Sequence, residues 1–278
     1  MSWRMLVAMI VLLVACTTPS ARHDRGGQPR LVSLSPALTE TLGELGALDQ
    51  LVARSTFCTL PAEARSLPAV GSALTPDLEA IATLGPTRVL IDGSEGVPRE
   101  SIGQIAPVSV LPWLTTAEVT GSVRTLGTIT GREEAAEKLA SRMEVGLAPH
   151  PVEGAPRTLL VLGTEGPAQG VWFIKPDSLH GTALVAAGGR NAVVGPVTGA
   201  PSLSVERVIA LDPDRIVMLE PRTLTADEQQ AAVARWAVLT PLTAASSGQV
   251  RVVAEPDLLS TGPRILHFVE TIRPAVTP

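Results

Sequence analysis

"LEAIATLGPTRVLI", residues 78–91, is written a second time as "VERVIALDPDRIVM", residues 205–218. The Glu, Pro and Arg of the two stretches keep one offset, since 206 − 79, 213 − 86 and 215 − 88 all equal 127. Leu78, Ile81 and Ala82, like Val205, Val208 and Ile209, fall on one face at helical spacing, which predicts a short amphipathic helix in each copy. Gly85-Pro86 and Asp212-Pro213 stop these helices, because proline cannot continue one. "RVLI" and "RIVM" then read as buried strands. Glu79 and Glu206 lie beside the apolar stripe, not in it, so both are expected on the surface.

The same offset reaches outward. "RLVSLS" from Arg30 and "RTLLVL" from Arg157 are also 127 apart, and each follows a proline, as the first strand of a domain would. Helical stretches follow at "TETLGELGALDQL" from Thr39 and "LHGTALVAAGG" from Leu179, and third strands at "VSVL" from Val108 and "VRVV" from Val250. Strands alternating with helices imply parallel sheets. The expected fold is therefore α/β, with two similar lobes of mostly parallel sheet at residues 30–115 and 151–278. Residues 116–150 form a helical connector, in which "GREEAAEKLASRMEVGLA" is rich in helix formers with acids near its start. One long helix joining the lobes would limit their hinging. Ligand would settle in a cleft between the lobes, because open α/β sheets bind outside the carboxyl ends of their strands.

A chain of 278 residues with 45% hydrophobic and 18% charged content has ample material for a packed core. Net charge is −5 with no basic block, which excludes nucleic acid as a partner, since duplex binding needs clustered cations. Residues 1–16, "MSWRMLVAMIVLLVAC", place Arg4 before an apolar run that is short of the ~20 residues needed to cross a bilayer. That is the layout of a secretory signal. Its end resembles the bacterial lipobox, with Cys16 as the lipidation site. Residues 17–29, "TTPSARHDRGGQP", read as a flexible tether. The protein is thus expected outside the cytoplasm, in a periplasm or on a cell surface, lipid-anchored to a membrane. Cys58 is a lone thiol, which usually behaves as a small buried residue.

"RLVSLSPALTETLGELG", "STFCTLPAEARSLPAVG" and "TPDLEAIATLGPTRVL" in the first lobe resemble the class III periplasmic substrate-binding proteins, as do "LVAAGGRNAV", "LSVERVIALDPDRIVM" and "GPRILHFVETI" in the second. These helical-backbone receptors feed ABC importers of cobalamin, ferric siderophores and haem, and the resemblance runs from about Arg30 to Ile272. It implies a monomeric receptor without catalysis or cofactor that passes a metal chelate to a permease dimer. It also implies that one surface Glu per lobe docks onto the permease; the matching residues are Glu79 and Glu206. The alternative for both is an acid that merely favours the helix dipole.

The loops after the strands supply the cleft candidates: Ser35, Pro36, Arg54, Phe57, Cys58, Leu74 and Gly93 in the first lobe, and Trp172, Phe173, Ala200 and Ser260 in the second. Phe57, Trp172 and Phe173 offer rigid faces to a flat macrocycle, or else pack in the core. Arg54 either pairs with an anionic group of the cargo or plays an ordinary surface role. There is no Tyr, and His23, His150, His180 and His267 are scattered, which argues against a bare-metal site. Only His180 is placed near the cleft as a haem ligand, with a helix-start or surface role as the alternative. The sequence departs from cobalamin receptors at Ala73 and Ala200, where these carry tryptophans, and the family's frequent "CDYP" is Cys58-Thr59-Leu60-Pro61 here. Ser260 stands where siderophore receptors often have Arg or Tyr. The cargo is read as a cobalamin-like corrinoid or a ferric siderophore, leaning to the corrinoid. Other readings are a structural or sensory lipoprotein on the same fold, and a secreted hydrolase, for which no G-x-S-x-G elbow is present.

Overall fold

The computed structural model describes residues 27–278, so the leader, Cys16 and most of the tether lie outside the described residues. The first lobe runs β1 (Leu31–Ser33), α1 (Pro36–Glu44), β2 (Leu51–Arg54), α2 (Leu78–Leu84), β3 (Arg88–Ile91), α3 (Arg99–Gly103) and β4 (Val108–Val110). Its sheet has the order β2-β1-β3-β4 and is parallel throughout. Two helices follow, α4 (Thr116–Thr130) and α5 (Glu133–Gly146). The second lobe contains β5 (Arg157–Leu162), β6 (Val171–Phe173), α6 (Leu179–Ala186), β7 (Arg190–Asn191), β8 (Ser202–Leu203), α7 (Val205–Leu211), β9 (Arg215–Glu220), α8 (Ala226–Ala237), α9 (Thr243–Ser246), β10 (Val250–Ala254) and α10 (Ile265–Val276). Its strands are ordered β10-β9-β5-β6-β8, with β7 also on β5; β6 runs antiparallel to both β5 and β8, and the other pairs are parallel.

The 127-residue offset is a structural repeat, because the order β1-β3-β4 recurs as β5-β9-β10. Helices α2 and α7 are copies in detail. The N-cap side chains of Asp77 and Ser204 accept from the backbone N–H of Ala80 and Arg207. Each helix buries a single residue, Ile81 or Val208, and ends on a left-handed residue, Gly85 at φ 55° or Asp212 at φ 40°.

Two expectations are corrected. The stretch from Thr39 to Leu51 is not one helix: α1 ends at Glu44, Gly46 turns the chain at φ 65°, and Leu51 opens β2. The connector is a helical hairpin, not one long helix. Gly131 takes the left-handed conformation (φ 67°) and donates its N–H to Gly127 O, closing α4. Helix α5 then folds back, so that Arg124 reaches both Glu137 (2.7 Å) and Glu144 (2.9 Å).

Restraint on hinging comes instead from a shared core. One buried apolar cluster includes Leu38 and Leu42 of α1, Leu126 of α4, Met143 of α5, Leu184 of α6 and Phe268 and Ile272 of α10. It therefore passes from one lobe through the hairpin into the other. Separate clusters fill the far side of each sheet, under Ile81 in the first lobe and around Val208 and Trp236 in the second. Among the described residues no helix is long and apolar enough to cross a membrane.

Gly131 and Gly121 make opposite tests of the hairpin, since a Cβ would meet nothing within 4 Å at either position. Gly131→Ala is expected to lower the unfolding free energy by about 1–2 kcal/mol, the cost of a left-handed L-residue. Gly121→Ala, inside α4 with ordinary helical backbone, is expected to raise it by about 0.5–1 kcal/mol. Urea unfolding of the two variants measures both signs.

Candidate functional site

The carboxyl ends of the two sheets face each other, and two hydrogen bonds cross between them. In the loop after β4, Trp113 Nε1 donates to Thr261 O in the loop after β10 (2.6 Å). In the same second-lobe loop, Ser260 Oγ donates to Glu40 Oε1 of α1 (2.6 Å). Glu40 is only 6% exposed, so this is a carboxyl taken out of water at the seam between the lobes. Its Oε2 has no partner among the described residues and presses on Gly262, where a Cβ would collide with it. Arg264 and Asp257 act on it from the second lobe, and Glu44 and Glu63 line the hollow of about 300 Å³ beside it. Burial raises the Glu40 pKa above its ordinary value, outweighing the hydrogen bond from Ser260 and the Arg264 cation. Sequence reading missed Glu40, because its partner lies 220 residues away and nothing local distinguishes it from a solvated helical acid.

The expected cleft residues divide into rim, core and scaffold. Phe57 (68% exposed) and Leu74 (59%) stand out from the first lobe, joined by Val110 and Leu114, which were not foreseen. Leu74 Cδ2 comes to 3.3 Å of a Cβ built on Gly96, and one built on Gly93 (φ 88°) would touch Val110 and Pro112, so these loops form one apolar border. Pro36 is exposed at the start of α1, whereas Ser35 is buried at its N-cap, its Oγ without a partner among the described residues. In the second lobe Trp172 is 55% exposed and pairs with Leu162, the last residue of β5, so its ring sits level with the carboxyl end of that strand. Ala200 is exposed just before β8.

Four candidates are engaged within the protein itself. Phe173 belongs to the core: it sits in strand β6 rather than a loop, and alternation turns it away from Trp172 into the second-lobe cluster. Cys58 is fully buried, with Sγ 3.2 Å from Ser55 Oγ. Arg54 holds its own loop, donating to the carbonyls of Ala64 (2.9 Å), Ser55 (2.9 Å) and Arg65 (3.2 Å), which leaves little for a cargo anion. Ser260 joins the lobes through Glu40. His180, at the start of α6, is buried edge-on to Phe268 (4.8 Å between ring centres), and burial pulls its pKa down to about 4. Its neutral ring has no route to a ligand while it stays packed there.

Glu79 and Glu206 occupy matching first-turn positions of α2 and α7, and both are exposed. Glu79 has no side-chain partner among the described residues. The Glu206 carboxyl is held below its usual range by hydrogen bonds from Ser204 and its own backbone N–H.

Duplicated α/β lobes with facing carboxyl ends and a shared core define a two-lobed solute-binding protein. Residues 31–256 match the pattern of the periplasmic binding protein family, and the chain belongs to that family. It is 29% identical over 274 residues to a cobalamin-binding protein of Halobacterium salinarum, covering 91% of this chain and 73% of the relative. It is 28% identical over 212 residues to a vitamin B12-binding protein of Pectobacterium carotovorum, covering 74% of this chain and 75% of the relative. A crystal structure of a periplasmic haem-binding protein from Pseudomonas aeruginosa superposes with a TM-score of 0.69 at 26% identity, covering 90% of this chain and 93% of that one.

Two substitutions test the seam. Ser260→Ala leaves Glu40 Oε1 without its donor and is expected to lower stability by about 1–3 kcal/mol. Glu40→Gln removes the buried charge. Because the folded-state pKa is raised, the proton-linked stability of wild type is fully present below the unfolded value near 4.5 and is lost as pH rises through the folded value. Glu40→Gln should therefore exceed wild type in stability most at neutral pH, with the gap closing toward pH 4. Urea titrations at stepped pH measure the slope.

Proposed function

We propose that this chain is the receptor of an ABC importer, which captures a metal chelate outside the cytoplasm and delivers it to a permease dimer. It works as a monomer held to the membrane by a lipid on Cys16. The observation that carries the reading is the apolar border of the gap: Phe57, Leu74, Val110 and Leu114 on one side and Trp172 on the other, all large and well exposed. Exposed apolar groups gathered at a cleft mark a contact surface, and flat rigid faces suit a macrocyclic chelate. A cobalamin-like corrinoid is favoured over a ferric siderophore, because the relatives named for cobalamin and vitamin B12 match most of the chain. Haem is disfavoured by the lack of any Tyr and by the sealed position of His180. Glu79 and Glu206 meet the two equivalent basic sockets that a symmetric permease presents.

Titration of residues 27–278 with cyanocobalamin, haem and ferric siderophores, followed by Trp fluorescence, tests the cargo. Cyanocobalamin is expected to quench strongly, and Trp172→Ala to weaken its binding about tenfold, roughly 1.4 kcal/mol. Silence with every chelate would favour a lipoprotein that carries no cargo. The double variant Glu79→Ala with Glu206→Ala is expected to bind cargo as wild type does while cellular uptake falls to background. Normal uptake would remove the docking role.

A further inference from the structure

Each docking helix is too short to hold itself. With seven residues, α2 and α7 fall well below the ~12–15 that an isolated helix needs, and each has one buried anchor, Ile81 or Val208. An arginine from the residue entering, or opening, the first strand of the lobe grips each free end, and Asp212 at the end of α7 also accepts from the backbone N–H and Oγ1 of Thr243 (both 2.8 Å). Arg30 Nε donates to Gly85 O (3.3 Å) and its terminal nitrogen to Leu84 O (2.6 Å). Arg157 donates to Leu211 O (3.2 and 3.3 Å) and to Asp212 O. The backbone N–H of each arginine is bound as well, to Thr87 Oγ1 (2.9 Å) or Asp214 Oδ2 (2.7 Å). Every partner keeps the repeat: 157 − 30, 211 − 84, 212 − 85 and 214 − 87 all equal 127. A cation on the orphan carbonyls at a helix C-terminus is also favoured by the dipole.

We infer that Arg30 and Arg157 are positioning residues for permease docking, clamping α2 and α7 to β1 and β5 so that Glu79 and Glu206 keep a fixed mutual geometry. The inference rests on the docking role of those acids. The arginines touch neither the gap nor its apolar border. Each grips its helix about five residues, or roughly 8 Å, from the acid it aims. Without the fork, α2 is free to pivot on Ile81 and α7 keeps only the Thr243 bonds to Asp212 at its end, so the two acids lose the fixed geometry that reaches both sockets at once.

The test measures affinity of the purified receptor for its permease–ATPase complex in nanodiscs without cargo, alongside cyanocobalamin titration and a thermal melt. Arg30→Met with Arg157→Met is expected to weaken permease binding tenfold or more while the cyanocobalamin titration stays as in wild type. Arg30→Lys with Arg157→Lys, which keeps one donor per helix, should fold and restore part of the affinity; it carries the test if the methionine protein does not fold. Wild-type permease affinity in the lysine and methionine variants, with the Glu79→Ala/Glu206→Ala protein impaired, overturns the clamp and leaves docking intact. Wild-type affinity of that glutamate variant overturns the docking role itself. A parallel loss of cyanocobalamin binding in the arginine variants would show general damage and also overturn the inference.

Discussion

The apolar cluster that runs from α1 through the hairpin to α6 and α10 is the constraint from which the rest of the molecule follows. A two-lobed receptor built on a flexible linker would define its gap only when ligand closed it. Here Leu42, Leu126, Met143 and Phe268 belong to one buried group, so separating the lobes means exposing core. The hydrogen bonds from Trp113 and Ser260 add direction to this non-directional attachment, fixing which loops confront each other. Interiors packed at crystalline density do not deform gradually, so the gap is largely preformed. Affinity must then come from a surface that already fits rather than from a large closure.

Duplication explains why the outer face is as ordered as the gap. The two lobes differ at the gap and agree on the outer face that carries Glu79 and Glu206. The second lobe adds the antiparallel strands β6 and β8, which bring Trp172 to the rim, and the first lobe has no counterpart. The helices α2 and α7, by contrast, share cap, anchor, left-handed exit and arginine clamp at one unvarying offset. Two like sockets on a symmetric partner would impose such likeness, whereas an asymmetric cargo imposes none.

Much of this was legible because it is written locally. Pro86 and Pro213 mark where helices must stop, and the apolar spacing around Ile81 and Val208 names the buried face without any tertiary knowledge. The hairpin was not legible in the same way. Gly131 follows Gly121 and Gly127 in a Thr-rich run, so nothing local singles it out, and only the left-handed backbone it adopts turns the chain. Strand β2 was hidden because "ALDQLVAR" carries apolar residues that suit either period. At the site the failures share a cause: Arg54 is held by backbone carbonyls of Ser55, Ala64 and Arg65 and Ser260 by a carboxylate 220 positions away, so their engagement is invisible from composition. Phe173 and Trp172 are adjacent aromatics that only a strand, with its alternation, sends to opposite faces.

The buried carboxyl at the seam sharpens what kind of cargo such a gap can hold. Glu40 is tolerated because Ser260 satisfies one oxygen and Gly262 leaves space for the other. A charged ligand group approaching it would have to compete with that arrangement, and Arg54, the cation nearest the rim by sequence, is engaged by three carbonyls. Neither Glu40 nor Arg54 is therefore a ready charge for a small ionic solute. The exposed hydrocarbon and the one indole of the border are spread over loops that a rigid core holds apart. A surface of that kind gains most from a partner that is large, preshaped and supplies its own polar shell, because such a partner loses little freedom on binding and covers much apolar area. A metal enclosed in its own macrocycle has those properties, whereas a free ion or a flexible polar solute has none of them.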